Sequence, residues 1–129
     1  MTDAQQATDS AMWRRSTWMR VGALGALLAV LILLTAPVDA VELRQAAQIE
    51  FMHAMSTFAC ATFMNIGARA ARHAPGCFVS GSALYCFPVY FSCLGVTTPS
   101  PILKMAGEVL LLVGWGILIW SASAIDRLR

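Results

Sequence analysis

Four side chains offer this sequence its best chance of chemistry: Glu50, His53, Lys104 and Glu108, each set among apolar residues. Glu50 and His53 are three apart, and Lys104 and Glu108 four apart, so each pair can share a helix face. Glu108 lies six residues past Ile102, about 9 Å deeper along a helix axis. A charge deep in a bilayer costs at least about 2.5 kcal/mol. Glu108 is therefore expected to be paired, protonated, hydrated or inside a bundle. The favoured reading of the cluster is a salt-bridged lid, with Lys104 to Glu108 and His53 to a carboxylate. A proton or ion relay could use the same residues. A metal or haem site could combine His53 with Met52, Met55 or a carboxylate, but no H-x-x-x-H spacing supports it. No nucleophile elbow, Walker loop or dinucleotide fingerprint occurs, so no catalytic residue, metal or cofactor is assigned, and no enzyme activity is expected.

The elements that must position these residues are helices. Of 129 residues, 58% are hydrophobic and 12% charged. A soluble domain carries roughly 25% charged residues. The deficit points to a lipid bilayer as the main partner. The expected architecture is an all-α bundle of four transmembrane helices at about 20–37, 40–70, 75–98 and 102–124. Residues 1–12 read as a flexible tail, and 13–129 as one domain. The 18 uncharged residues Val21–Val38 reach about 27 Å as a helix, close to a hydrocarbon core of roughly 30 Å. Trp13 and Trp18 stand where an interfacial anchor belongs. A cleaved signal peptide ending at Val38-Asp39-Ala40 is the competing reading of this segment.

Pro37 ends the first helix, and Asp39 with Glu42 resembles a capping box for the second. Pro88 falls inside the third span, where it is expected to kink the helix and free the carbonyl of Leu84. Gly107, Gly114 and Ser121 recur every seven residues in the fourth, a small-residue stripe suited to helix packing. Cys60, Cys77, Cys86 and Cys93 show no C-x-x-C spacing and read as apolar packing residues; Cys86 and Cys93 fall on one face of a regular helix.

Basic residues set the orientation. Arg14, Arg15, Arg20, Arg69, Arg72, Arg127 and Arg129 fall on one side of a four-span chain, and only Arg44 and Lys104 on the other. Basic connections stay cytoplasmic, so both termini are expected inside. The net charge of +2 comes from these flanks, without the interleaved aromatics of a nucleic-acid surface.

Three patches resemble a small four-helix membrane family of unknown function that includes bacterial YgdD proteins and transmembrane protein 256 of mitochondria. Residues 19–36 look like its glycine- and alanine-rich first helix, and residues 50–57 (EFMHAMST) like its second, with His53 on the family histidine. Residues 81–85 (GSALY) and 107–120, with the Gly114-Trp115 pair, are similar to its third and fourth. Thr35-Ala36-Pro37 stands where the family has Gly-Ala-His, and Glu108 follows Gly107 where the family has Gly-Gly. The resemblance implies four helices and no established catalysis. Small stripes and tryptophans on four short helices suit an accessory subunit among other membrane-protein subunits of a bacterial or mitochondrial inner membrane. A small proton or ion transporter is the alternative, and any small-molecule ligand is unknown.

The topology is testable directly. Cysteines placed at Ala40 or Ser100 are expected to react with an impermeant reagent added outside, and one at Ala71 is not. Labelling of position 71 from outside reverses the orientation.

Overall fold

Sequence length and apolar runs build helices, and helices are what the computed structural model shows. It describes residues 15–65, 69–98 and 100–125. The tail 1–12, Trp13, Arg14, Pro99, Arg127 and Arg129 lie outside the described residues. Among the described residues four α-helices follow in order: α1 Arg15–Thr35, α2 Val41–Asn65, α3 Ala74–Cys93 and α4 Ser100–Ile125. A short 3-10 helix, Arg69–His73, precedes α3. No strand occurs among the described residues. Among the described residues three segments, Arg15–Thr35, Ala70–Cys93 and Ser100–Ser123, are long and apolar enough to cross a membrane.

The outer surface is apolar. Leu24, Leu34, Val38, Leu112, Ile119 and Trp120 are all more than half exposed. A chain in water rarely presents so continuous an apolar surface; in lipid it costs nothing. The two outer helices supply most of it. The interior belongs to α2, where Ala46, Ala47, Glu50, His53, Ala54, Thr57, Cys60 and Ala61 are all buried. α1 packs on one side of α2 and α3 on another, while α4 packs on α3.

Helix ends follow local chemistry, with departures from expectation. Asp39 and Glu42 form no capping box: the turn closes through the backbone, from Ala40 N–H to the Pro37 carbonyl and Val41 N–H to the Asp39 carbonyl. Arg44 reaches back instead, donating from Nη1 to the carbonyls of Leu33 (3.1 Å) and Ala36 (3.3 Å). A guanidinium there satisfies orphan carbonyls and sits at the negative end of α1. α3 stops at Cys93, short of the expected residue 98. Gly95, at φ +79°, ends it: Gly95 N–H bonds the Ser92 carbonyl and Val96 N–H the Phe91 carbonyl, the paired pattern of a glycine-terminated helix. α2 ends at Asn65 rather than near 70, and the 3-10 turn takes up the chain with Ala71 wholly buried. Pro88 lies inside α3 and is buried. Its missing N–H leaves the Leu84 carbonyl without the usual partner.

Glycines set the spacing. A Cβ on Gly22 would come within 2.8 Å of the Ala54 carbonyl oxygen, so α1 and α2 meet backbone to backbone. A Cβ on Gly107 would lie 2.7 Å from the Gly81 carbonyl oxygen and 2.9 Å from Tyr85 N, which sets α4 against α3. Gly114 faces the ring of Phe78, and Ser121 is 3% exposed, its hydroxyl donating to the Ile117 carbonyl at 2.7 Å. The whole Gly107, Gly114, Ser121 stripe is thus buried.

Gly107→Ala is expected to lower stability by about 1–3 kcal/mol, because backbone cannot move aside as a side chain can. Gly116→Ala, where nothing lies within 4 Å, is expected to be neutral. Thermal unfolding of the two variants in detergent checks the contrast.

Candidate functional site

Helical geometry divides the polar residues of α2 between two sides. Glu50, Ala54 and Thr57 follow i, i+4, i+7 spacing and line a crevice with α1 and α3. Ile49, Met52 and His53 line a groove with Tyr85 of α3 and Glu108, Leu111, Leu112 and Trp115 of α4. Three residues turn a helix through about 300°, so Glu50 and His53 are offset by about 60°. Packing on both flanks sends them to different neighbours.

Glu50 is buried and accepts a hydrogen bond from the Tyr90 hydroxyl of α3. One helical turn earlier on α2, the Cys86 thiol donates to the Ala46 carbonyl at 3.3 Å. Together these join α2 to α3 through atoms 40 residues apart in sequence.

His53 is 5% exposed and has both ring nitrogens engaged. Nδ1 lies 2.7 Å from the Ile49 carbonyl, and Nε2 lies 3.3 Å from the Trp115 indole nitrogen. A carbonyl only accepts and an indole only donates, so this geometry suits the tautomer with its proton on Nδ1. The ring also sits 5.8 Å from Phe78 and 6.1 Å from Trp115, and Phe78 and Trp115 stack edge to face at 5.2 Å. Phe78, fully buried with Cys60, Ala74 and Leu111, seats this aromatic trio in the core. Gly114 makes room for its ring. His53 is therefore a linchpin of packing. Met52 and Met55 point outward and are about half exposed, and no group of three His, Cys, Asp or Glu side chains suited to a metal occurs among the described residues.

The four-residue cluster expected from sequence is not one network. Glu50 goes to Tyr90, and His53 to Ile49 and Trp115. No hydrogen bond or ion pair joins Lys104 to Glu108. Glu108 is exposed at the edge of an open groove of about 420 Å³, which it shares with His53 without bonding it. The expected lid is therefore absent, although the two residues lie one turn apart on α4. The cysteines are all free: Cys60 and Cys86 are buried, Cys77 is half-buried and Cys93 is exposed, so Cys86 and Cys93 do not share an environment.

Sequence inspection missed Tyr90, Ser82 and the cap made by Arg44. Tyr90 sits near the end of an apolar span, where a tyrosine reads as an interfacial anchor. Ser82 reads as a small packing residue beside Gly81. Only Trp115 carried a signal, since an indole N–H in an apolar helix needs an acceptor.

Compared with known proteins, the chain matches no family model, no curated protein and no solved structure.

His53→Phe keeps the ring packing and loses both polar contacts; it is expected to cost about 1–2 kcal/mol, mostly from the unpartnered Trp115 N–H. His53→Ala also opens a cavity against Phe78 and is expected to cost about 3 kcal/mol or more. Equal losses in thermal unfolding would remove His53 from its packing role.

Proposed function

We propose that this chain is a non-catalytic accessory or structural subunit of a larger energy-transducing complex in the bacterial cytoplasmic membrane, with the mitochondrial inner membrane as the alternative. In this reading it crosses the bilayer four times, with both termini cytoplasmic and a bend in α3 at Pro88. The proposed kinship with the YgdD and transmembrane protein 256 family fits the same reading.

The fourth crossing is α2. It carries more polar groups than its neighbours, yet at 25 residues it is long enough, about 37 Å. Its polar side chains are turned into the bundle, which is where a membrane tolerates them. The seven-to-two split of basic residues supports the orientation.

Glu108 is the observation that carries the subunit reading. It is an exposed carboxyl in the apolar helix α4, without a hydrogen bond or ion pair to another described residue. Lipid tails offer no donor, and a carboxylate near a bilayer centre costs roughly 2.5–3.5 kcal/mol. A neighbouring subunit that brings a basic or N–H-bearing side chain into the groove removes that cost. The exposed Leu112 and half-exposed Trp115 beside it supply apolar contact for the same helix. A proton or ion transporter built on Glu108 and His53 is less well supported, because both nitrogens of His53 are already engaged.

Purification from native membranes in mild detergent tests the proposal. The 13.9 kDa chain is expected to co-migrate with a much larger assembly, and Glu108→Gln to weaken that association by about tenfold while the fold persists. A monodisperse small oligomer that moves protons in liposomes, and stops when Glu108 is changed to Gln, would overturn the subunit reading. For topology, Ala71 is buried and silent to any reagent, so exposed Arg72 is the informative position. With Cys93 replaced, Val38→Cys is expected to label from outside and Arg72→Cys from the cytoplasm.

A further inference from the structure

The crevice between α1, α2 and α3 is separate from the Glu108 groove. It has a volume of about 120 Å³. Most of its wall is carbon, from Val21, Phe78, Val79 and Phe87, and Gly22 and Gly25 of α1 leave it recessed. Two polar groups face it without full satisfaction. Glu50 accepts one hydrogen bond, from Tyr90. A carboxylate has about four acceptor positions. The second is Ser82, 9% exposed, whose hydroxyl is shielded from solvent and has no hydrogen-bond partner. Other helical hydroxyls here behave differently: Ser56, Thr57, Ser80 and Ser121 each donate to the carbonyl four residues earlier. Ser82 does not.

We propose that this crevice binds a small organic cation: a primary ammonium group on a short alkyl body. Charge gives the sign of the ligand, since the lining contains Glu50 and no basic side chain. A buried carboxyl with one donor is costly, and a cation beside it offsets that cost. Hydrogen-bond capacity gives the head group. An ammonium has three donors, enough to reach both Glu50 and the Ser82 oxygen. Wall chemistry gives the body. A bare inorganic cation needs about six oxygens, whereas side-chain oxygens come only from Glu50, Thr57 and Ser82. The apolar wall instead suits a short hydrocarbon, with Phe78 and Phe87 as aromatic faces near a cation. Size agrees: a recess of about 120 Å³ suits a short amine. The ammonium is that of a free alkylamine: the lining falls midway along α1, α2 and α3, too deep for a phospholipid headgroup held at the interface.

Calorimetric titration of the full chain in phosphatidylcholine nanodiscs with n-propylammonium chloride tests this. Saturable binding is expected, with 1-propanol and sodium chloride at least about tenfold weaker. Glu50→Gln is expected to weaken propylammonium binding by about tenfold or more, and Ser82→Ala by about threefold or more. Glu108→Gln, on the other side of α2, is expected to leave it unchanged. Ala83→Leu adds bulk to the crevice wall and leaves the carboxyl in place, and is expected to abolish binding even if Glu50→Gln does not fold. No saturable binding, sodium or propanol binding as tightly, or full binding by Ser82→Ala and Ala83→Leu overturns the proposal.

Discussion

Polar side chains in an apolar bundle have to find their partners within it, and here that obligation falls mainly on one helix. α2 carries Arg44, Glu50, His53, Ser56 and Thr57 within four turns. Each is answered by a specific group. The C-terminal carbonyls of α1 receive Arg44, Tyr90 of α3 bonds Glu50, and Trp115 of α4 bonds His53. The hydroxyls of Ser56 and Thr57 return to carbonyls of their own helix. Exposing any of these groups to an apolar medium without a partner costs several kcal/mol. The least apolar helix therefore takes the most enclosed place, and the positions of the other three follow from it.

Tyr90 and Trp115 reach α2 with their long side chains, while glycine brings other helix pairs nearly to backbone contact and so holds the bundle in register. Gly22 allows this between α1 and α2, and Gly81 with Gly107 between α3 and α4. Gly114 has a second effect: by admitting the Phe78 ring it builds the platform on which His53 and Trp115 meet. In lipid, where no hydrophobic force drives helices together, such small residues and interhelical hydrogen bonds supply the association.

The two flanks of α2 are left chemically unlike. One holds a crevice with a carboxyl and a hydroxyl in apolar walls. The other holds a wider groove in which the histidine is fully engaged and an exposed carboxyl sits on the rim. A residue pair spaced to share a helix face can thus serve two separate places. The offset of about 60° between positions three apart is small on an isolated helix and decisive on one packed from both sides.

Helix number and the buried Gly107, Gly114, Ser121 stripe were readable from residue order alone. Both are local properties: an apolar run and a spacing of seven need no knowledge of a neighbour. The outer boundaries were nearly as legible, but the Schellman-type stop at Gly95 and the 3-10 turn with buried Ala71 were not, because each depends on backbone angles that several sequences can adopt. The site was the least legible part. Glu50 and His53 stood out as polar residues in apolar surroundings, while their partners lie 40 and 62 residues away. Which side chain answers which follows from helix rotation and from approach distances set by glycine. Those quantities arise only when all four helices are packed, since each rotation is fixed by its neighbours and not by its own sequence.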